Sequence, residues 1–441
     1  MTTNTIEHLV TIVTTDLAAV TRGRPVPASL LEKTVSTGVG WVPANLSLTP
    51  FGGIVPTNPW GSSGDIRLVP DLKARYTTEF TGAKTPFDVV VGDLVNLDGS
   101  PWVGCTRTLL KQAIADLKSE TGLSLIGTFE QEFQIFDSGF PDAHPFSVSA
   151  LRRADPFPAT LFAALKQAGI DPEMILAEYG PNQFEVTNGP ADALVAADRA
   201  IVIREITREL TRNFGWRASF SPKAAPDAVG NGVHIHFSFH DKDGRPVTYD
   251  HSQPGGLSNI AGAFCAGVLK HLPAITCLSA SSVPSYYRLK PHNWSSSYTW
   301  MANLDREASL RICPVVTINN RDPARQFNIE FRVADATANP YFALAALVRA
   351  GLEGLRAKMN APNLFSGDPE SLSNKERAKL NLRRLPQTLE EALQELASSD
   401  AVNSWFPAEV MSSFTGVKNH EIAHCANLEP ADICDLYGRI Y

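Results

Sequence analysis

With 441 residues, 44% of them hydrophobic and 19% charged, the chain has the length for two domains and the make-up of an ordinary globular protein. A formal charge of −7, without any long basic run, excludes the electrostatic footprint of a nucleic-acid binder. Residues 1–20 lack the basic start and apolar stretch of a signal peptide, and no unbroken apolar segment reaches membrane-spanning length, so no membrane association is expected. The six cysteines (Cys105, Cys265, Cys277, Cys313, Cys425, Cys434) show no CxxC or zinc-type spacing. They read as reduced, buried thiols of a cytoplasmic protein rather than as catalytic ones.

In chain order, residues 8–100 are rich in Gly and Pro and read as short strands and turns over His8–Asp16, Trp41–Leu48, Asp65–Val69 and Pro86–Asn96. The turn Asp98-Gly99-Ser100-Pro101 follows, then a helix over Thr108–Glu120. A domain boundary is expected near 101–107, dividing the chain into 1–104 and 105–441. Beyond it strands and helices alternate. Leu125–Phe136 and Gln183–Asn188 read as strands, and Ala159–Ala168 and Asp192–Phe214 as helices ended by Gly169 and Gly215. Trp216–Phe220 and Val233–His240 read as paired neighbouring strands, with Asp243-Gly244 as the next turn. Further helices are expected over Leu257–Leu272, Tyr341–Lys358 and Thr388–Ala397.

Three of these stretches carry chemistry. Thr128–Phe133, Val233–Phe239 and Asn328–Val333 alternate polar with apolar side chains. In a strand, successive side chains point to opposite faces. Glu130 and Glu132 then share one face, as do His234, His236 and Ser238, and so do Glu330 and Arg332, while Phe, Val and Ile line the other. Residues two apart stand about 6.5 Å apart along a strand, which lets Glu130 and Glu132 serve two neighbouring cations. The segment Glu178 to Glu185 folds a Gly-Pro turn between two further glutamates. Carboxylates with an imidazole favour Mg²⁺ or Mn²⁺ over zinc. A solvated strand face and a structural histidine pair are the plainer readings of each motif alone.

A basic set accompanies the acids: Arg288, Arg306, Arg311, Arg325 and Arg332, with Lys223 upstream. Arginines among apolar strand residues suit recognition of phosphate or carboxylate, surface ion pairs being the plainer reading. Paired cations beside guanidinium groups fit phosphoryl transfer. Neither a GxxxxGK[ST] loop nor a GxGxxG after a strand is present.

These blocks together resemble the glutamine synthetase family over nearly the whole chain. The resemblance is carried by Glu130-Gln131-Glu132-Phe133, by Glu178 through Glu185, and by Ser221-Pro222-Lys223 with Gly230-Asn231-Gly232-Val233-His234-Ile235-His236. It continues in Arg288-Leu289-Lys290-Pro291, Asn303 through Arg311, Ile329-Glu330-Phe331-Arg332 with Ala338-Asn339-Pro340-Tyr341, and Leu385-Pro386-Gln387-Thr388-Leu389. It implies an α+β fold with an N-terminal β-grasp domain and a catalytic domain whose antiparallel sheet forms a half-open funnel flanked by helices. It also implies a homo-oligomer, commonly a dodecamer, with active sites shared between subunits. By matching position, Glu132, Glu178 and Glu185 would hold one cation and Glu130, His234 and Glu330 the other. His236, Ser238, Arg325 and Lys223 would contact ATP. Arg306 and Arg311 would flank the transferred phosphoryl, and Arg288, Arg332 and Gly230 the acid substrate. The implied reaction phosphorylates a carboxylate, usually the γ-carboxylate of glutamate, and an amine then displaces phosphate.

Three positions depart from that pattern. Ammonia-using members carry a flap glutamate six residues after the arginine matched by Arg288; here Trp294 stands there. Their ammonium-binding aspartate, contributed by a neighbouring subunit, is matched by Val42, and an asparagine that helps hold the α-amino end of glutamate is matched by Val229. A desolvated ammonium needs compensating charge. An indole and an alkyl chain in place of two carboxylates suit the carbon body of an organic amine, aromatic or small alkyl. The expected enzyme is therefore an ATP-dependent γ-glutamyl–amine ligase. A glutamine-forming enzyme and a catalytically retired structural relative are the alternatives. His292 is either a surface loop residue or the base that takes the amine's proton.

Overall fold

The computed structural model describes residues 6–80 and 83–441; residues 1–5 and 81–82, within the expected N-terminal domain, lie outside the described residues. The first sheet contains β1 (Leu9–Thr15), β2 (Thr21–Pro27), β3 (Val39–Trp41), β4 (Ile66–Thr78) and β5 (Phe87–Val95), in the order β2-β1-β5-β4-β3. Its central pair, β1 and β5, is parallel and rich in β-branched residues, with Thr11, Ile12 and Val13 beside Val89, Val90 and Val91. The expected strand over Trp41–Leu48 is corrected: β3 ends at Trp41 and Pro43–Ser47 forms a 3₁₀ helix. Pro43 and its missing N–H suit a helical first turn rather than a ladder. β4 is longer than Asp65–Val69 because a register shift between Pro70 and Arg75 lets the strand continue past the proline.

The second sheet holds nine strands: β6 (Ser124–Phe136), β7 (Pro172–Ala177), β8 (Gln183–Asn188), β9 (Ala191–Asp192), β10 (Arg217–Ser219), β11 (Val233–His240), β12 (Met301–Asn303), β13 (Leu310–Ile312) and β14 (Ile329–Phe331). The main path runs β12-β13-β14-β11-β6-β8-β7, with β9 and β10 also paired to β6. All pairs are antiparallel except β12–β13. The expected pairing of Trp216–Phe220 with Val233–His240 is corrected: β10 lies against Gln134–Phe136 and β11 against Ser124–Gln131 of the same strand. The two share β6 end to end, because thirteen residues of β6 exceed the length of β11.

The apolar faces read from the alternation are buried. Phe129, Phe133, Ile235, Phe237, Phe239, Ile329 and Phe331 are at most 3% exposed and join one core with the helices Asn259–Ser279 and Pro340–Arg356. Those helices touch backbone to backbone, since a Cβ added at Gly354 would stand 2.1 Å from the carbonyl oxygen of Ala263. The helix expected to end at Leu272 runs through Pro273 to Ser279; burial of Ile275, Cys277 and Leu278 offsets the one hydrogen bond the proline removes. That helix is also long and apolar enough to cross a membrane, with a mean hydropathy of 1.4, but 83% of this window is buried within the fold. Arg107 ties the first sheet to the helix Ala193–Asn213: its guanidinium donates twice to Asp198 of that helix at 2.9 Å, to Asp71 of β4 at 3.0 Å and to Asp93 of β5 at 3.2 Å. Two C-terminal helices that periodicity did not indicate, Ala408–Cys425 and Pro430–Ile440, bring the terminal carbonyl of Tyr441 to the N–H of Phe220 at 2.8 Å. All six cysteines are buried and free.

Candidate active site

Register lays the polar side chains side by side. Glu130 stands opposite His234, Glu132 opposite Glu185, and His236 opposite Glu330, which in turn faces Arg311. Directly opposed residues in antiparallel strands have Cβ atoms about 5 Å apart, so side chains from five strands, β6, β8, β11, β13 and β14, come together. Glu130 Oε1 lies 3.0 Å from His234 Nδ1 and Glu130 Oε2 lies 3.2 Å from His236 Nε2. Glu330 Oε1 is 3.3 Å from His234 Nδ1. Glu330 Oε2 accepts from Arg311 Nη1 at 2.8 Å, and Arg332 donates to the other oxygen. Glu132 Oε2 accepts from the N–H of Gly232 at 2.7 Å. Two sets, Glu130 with Glu132 and His234, and Glu130 with His236 and Glu330, each bring three potential ligand atoms within 4.8 Å of one another.

The electrostatics of this cluster call for cations. Burial, and then Glu130 and Glu132, push the carboxyl of Glu185 up to about 11; burial pushes Glu132 up to about 7 and also raises Glu178. Burial raises Glu130 too, but hydrogen bonds from His234 and His236 outweigh it and hold the group well below the usual carboxylate range. Glu330 falls to about 2 because His234, Arg332 and His236 overcome its burial. Burial and Arg332 lower His234 to about 4, whereas bonds to Cys313 and Glu130 hold His236 well above its ordinary value against burial. Glu132, Glu178 and Glu185, which burial and neighbouring carboxylates drive toward neutrality, beside the ionised Glu130 and Glu330, fit hard divalent cations, whose charge would restore the ionised ligands.

The arginines divide between wall and surface. Arg288, in the helical turn Ser285–Arg288, is 3% exposed and donates to the carbonyl of Arg332 at 3.0 Å; burial lowers its affinity for its proton, with Asp335 and Glu132 opposing. A Cβ at Gly230 would stand 2.8 Å from Arg288 Cγ, and one at Gly232 2.7 Å from Arg288 Nη2, so both glycines make room for this side chain. Arg311 and Arg332 are held on Glu330. Arg306 is exposed on the loop between β12 and β13, near enough to Glu178 to oppose the rise that burial imposes on its carboxyl. Ser238 is half-buried on the face of His234 and His236. Arg325 stands apart, its side chain 82% exposed and 3.9 Å from Asp322. Lys223 is buried, donates to the carbonyl of Ala228, and lines a separate cavity of about 1370 Å³ with Tyr287, His292 and Arg384, among others. Val42 is exposed in the N-terminal domain.

Trp294 corrects one expectation. The indole is 71% exposed and lines a cavity of about 300 Å³ with Trp300, but Asp305, Glu307 and Asp368 line it too. The surroundings of Trp294 are therefore aromatic yet not stripped of anions. His292 is exposed and bonded through Nε2 to Asp368 Oδ2 at 3.1 Å. Sequence reasoning gave no role to Glu307, Asn328 or Cys313. Asn328 Oδ1 lies 2.9 Å from His236 Nδ1, and Cys313 Sγ lies 3.6 Å from the same nitrogen. The one available signal for Glu307 was an acid set next to Arg306 in an arginine-bearing loop.

Comparison with known proteins agrees with this architecture. The glutamine synthetase N-terminal domain profile matches residues 2–102 and that of the glutamine synthetase catalytic domain residues 103–434. The gamma-glutamylpolyamine synthetase GlnA3 of Streptomyces coelicolor is 34% identical over 98% of this chain and 93% of its own length. A glutamine synthetase of Pyrococcus furiosus is 30% identical over 89% of this chain and 85% of its own. The crystal structure of a glutamine synthase homologue superposes with a TM-score of 0.91 at 42% identity, covering both chains completely. A GmaS–ADP complex shares the fold, with a TM-score of 0.81 at 24% identity over 96% of this chain and 95% of its own. With both domain profiles matched and its acids, imidazoles and arginines gathered on one sheet face, the chain belongs to the glutamine synthetase family of ATP-dependent ligases.

Proposed function

We propose that this protein joins the γ-carboxylate of glutamate to an organic amine that carries its own positive charge, through a γ-glutamyl phosphate. One observation carries the choice of amine over ammonia: position 294 adjoins the cation site yet bears an indole. The Trp294 carbonyl accepts from Arg332 Nη2 at 3.2 Å, and Arg332 is bonded to Glu330. An indole beside Asp305, Glu307 and Asp368 offers an apolar surface and anionic neighbours at once, the pairing that an alkylammonium body needs. The gamma-glutamylpolyamine synthetase relative supports the same class of acceptor.

In this reading Glu132, Glu178 and Glu185 hold one divalent cation and Glu130, His234 and Glu330 a second. When bound, those ions neutralise the phosphates of ATP. His236, Ser238 and Arg325 face the nucleotide, Lys223 standing apart in its own cavity, and Arg288, Arg332 and Gly230 seat the acid substrate. Arg306 and Arg311 steady the phosphoryl as it leaves ADP for the γ-carboxylate oxygen. The acceptor's ammonium nitrogen first gives a proton to solvent and so regains its lone pair. It then attacks the acyl carbon, the C–O bond to phosphate breaks as phosphate leaves, and the nitrogen releases a second proton to give the neutral amide. Val42 of a neighbouring copy would complete the acceptor side in a homo-oligomer of dodecamer type, with domains of 1–104 and 105–441. The deciding experiment measures phosphate release from ATP, Mg²⁺ and glutamate with ammonia, alkylamines, polyamines and aromatic amines in turn. Organic amines should outpace ammonia at equal concentration. Robust turnover with ammonia alone would overturn the reading, and silence with every acceptor together with no nucleotide binding would favour a retired enzyme.

A further inference from the structure

Beyond standing among the acids near Trp294, Glu307 has surroundings that are unusually constrained. It follows Arg306 on the loop between β12 and β13 and is half-buried. Its N–H donates to Asp305 Oδ1 at 2.9 Å and its carbonyl accepts from Trp300 Nε1 at 3.1 Å. With both backbone groups fixed, the carboxylate reaches the flap. Oε2 accepts from the N–H of His292 at 3.3 Å and Oε1 from the N–H of Trp294 at 3.2 Å.

These two donors belong to residues in strained conformations. His292 has φ +61° and Trp294 φ +52°, a left-handed region in which a branched Cβ or a bulky side chain is disfavoured and glycine is the usual occupant. A loop built of Pro291-His292-Asn293-Trp294-Ser295 does not hold such a shape by its own propensity; something outside it must. Two backbone N–H groups converging on one carboxylate form an anion-holding concavity. From the other side Arg332 Nη2 donates to the Trp294 carbonyl at 3.2 Å. Position 294 is thus strung between Glu307 and the Arg332–Glu330 pair.

We propose that Glu307 is a positioning residue for the acceptor flap: its carboxylate holds His292 and Trp294 in a strained loop and thereby sets where the Trp294 indole meets the amine. The part concerning amines rests on the function proposed above, and the part concerning the loop does not. Hydrogen exchange and steady-state kinetics on the full-length enzyme test the two parts separately. In Glu307→Ala the amides of His292 and Trp294 should exchange about 10-fold faster or more, given the usual strength of charge-assisted hydrogen bonds. The KM for the amine should rise about 10-fold on the same ground, with the KM values for ATP and glutamate within about two-fold of wild type. Glu307→Gln, which keeps one acceptor oxygen, should fall between. Unchanged exchange at 292 and 294 would overturn the loop anchoring. Faster exchange with unchanged amine selectivity would overturn the control of the indole, and a lowered Tm with all three KM values shifted would mark a merely structural residue. If wild type used no amine, the proposed function would fail while the exchange arm still judged the anchor.

Discussion

At one end of the site, Glu130, Glu132, His234 and Glu330 stand on three adjacent strands whose opposite faces are packed into the core. At the other, His292, Trp294 and Glu307 stand on loops, and the Trp294 indole is largely in solvent. The two ends face different physical problems. The strand end concentrates charge in a low dielectric, where each ligand's ionisation depends on its neighbours and a misplaced charge is costly. The loop end works near solvent, where charges are screened and shape is held by a few hydrogen bonds to strained backbone. Substitutions should therefore abolish chemistry at the first end and shift acceptor preference at the second.

The largest effects are expected among the strand acids, and they should differ in kind. Glu132→Gln and Glu330→Gln should each cut phosphate release by on the order of 10³-fold, the scale of losing an electrostatic element of catalysis. Glu132 in the metal-free chain is already pushed toward neutrality, so Glu132→Gln should leave the Tm nearly unchanged. Glu330→Gln strands the buried Arg311 and Arg332 without their counter-charge and should cost about 3 kcal/mol of stability. Equal Tm values for the two variants would break the distinction within the strand end.

At the loop end, Trp294→Glu should lower use of bulky amines by about 10-fold, the loss of an indole's apolar contact, and raise relative use of ammonia. An unaltered amine profile in competition assays would place selectivity elsewhere.

Cation binding sharpens the contrast through pH. Glu132 has a folded-state value of about 7, above its ordinary 4.5. Its neutral form thus stabilises the metal-free fold fully below about pH 4.5, and that contribution is lost as pH rises through about 7. Divalent cations bind the ionised form, so the Tm gained on adding Mg²⁺ should be larger at about pH 8 than at about pH 5. A gain independent of pH would contradict the proposed ligands. The smallest effect belongs to Arg325, whose side chain is 82% exposed. Arg325→Ala should raise the KM for ATP by about three-fold, as expected of a solvent-screened charge, and a loss of all activity would mean it closes over the nucleotide.

The strand end was largely legible in advance. Alternation over Thr128–Phe133, Val233–Phe239 and Asn328–Val333 located β6, β11 and β14 and said which side chains face the core, because a two-residue period is a property of the backbone itself. Pairings were harder. β10 and β11 looked like natural partners, yet both lie against β6, since which strand completes an edge depends on lengths and connections far along the chain. The helix expected to end at Leu272 runs on through Pro273 because burial carries it onward, and the C-terminal helices leave too weak a pattern to be seen.

Local chemistry in the chain was enough to settle the family, the acid-bearing strands and the departure at Trp294, because residue type and period survive without knowledge of partners. Folding alone decided that Glu130 meets both imidazoles, that Arg311 and Arg332 share Glu330, and that acids from a distant loop accompany the indole. Glu307 had no readable meaning until the chain brought it against two strained backbone N–H groups. Hydrogen bonds between loops reward particular distances and angles, and those arise only when every intervening element has taken its place.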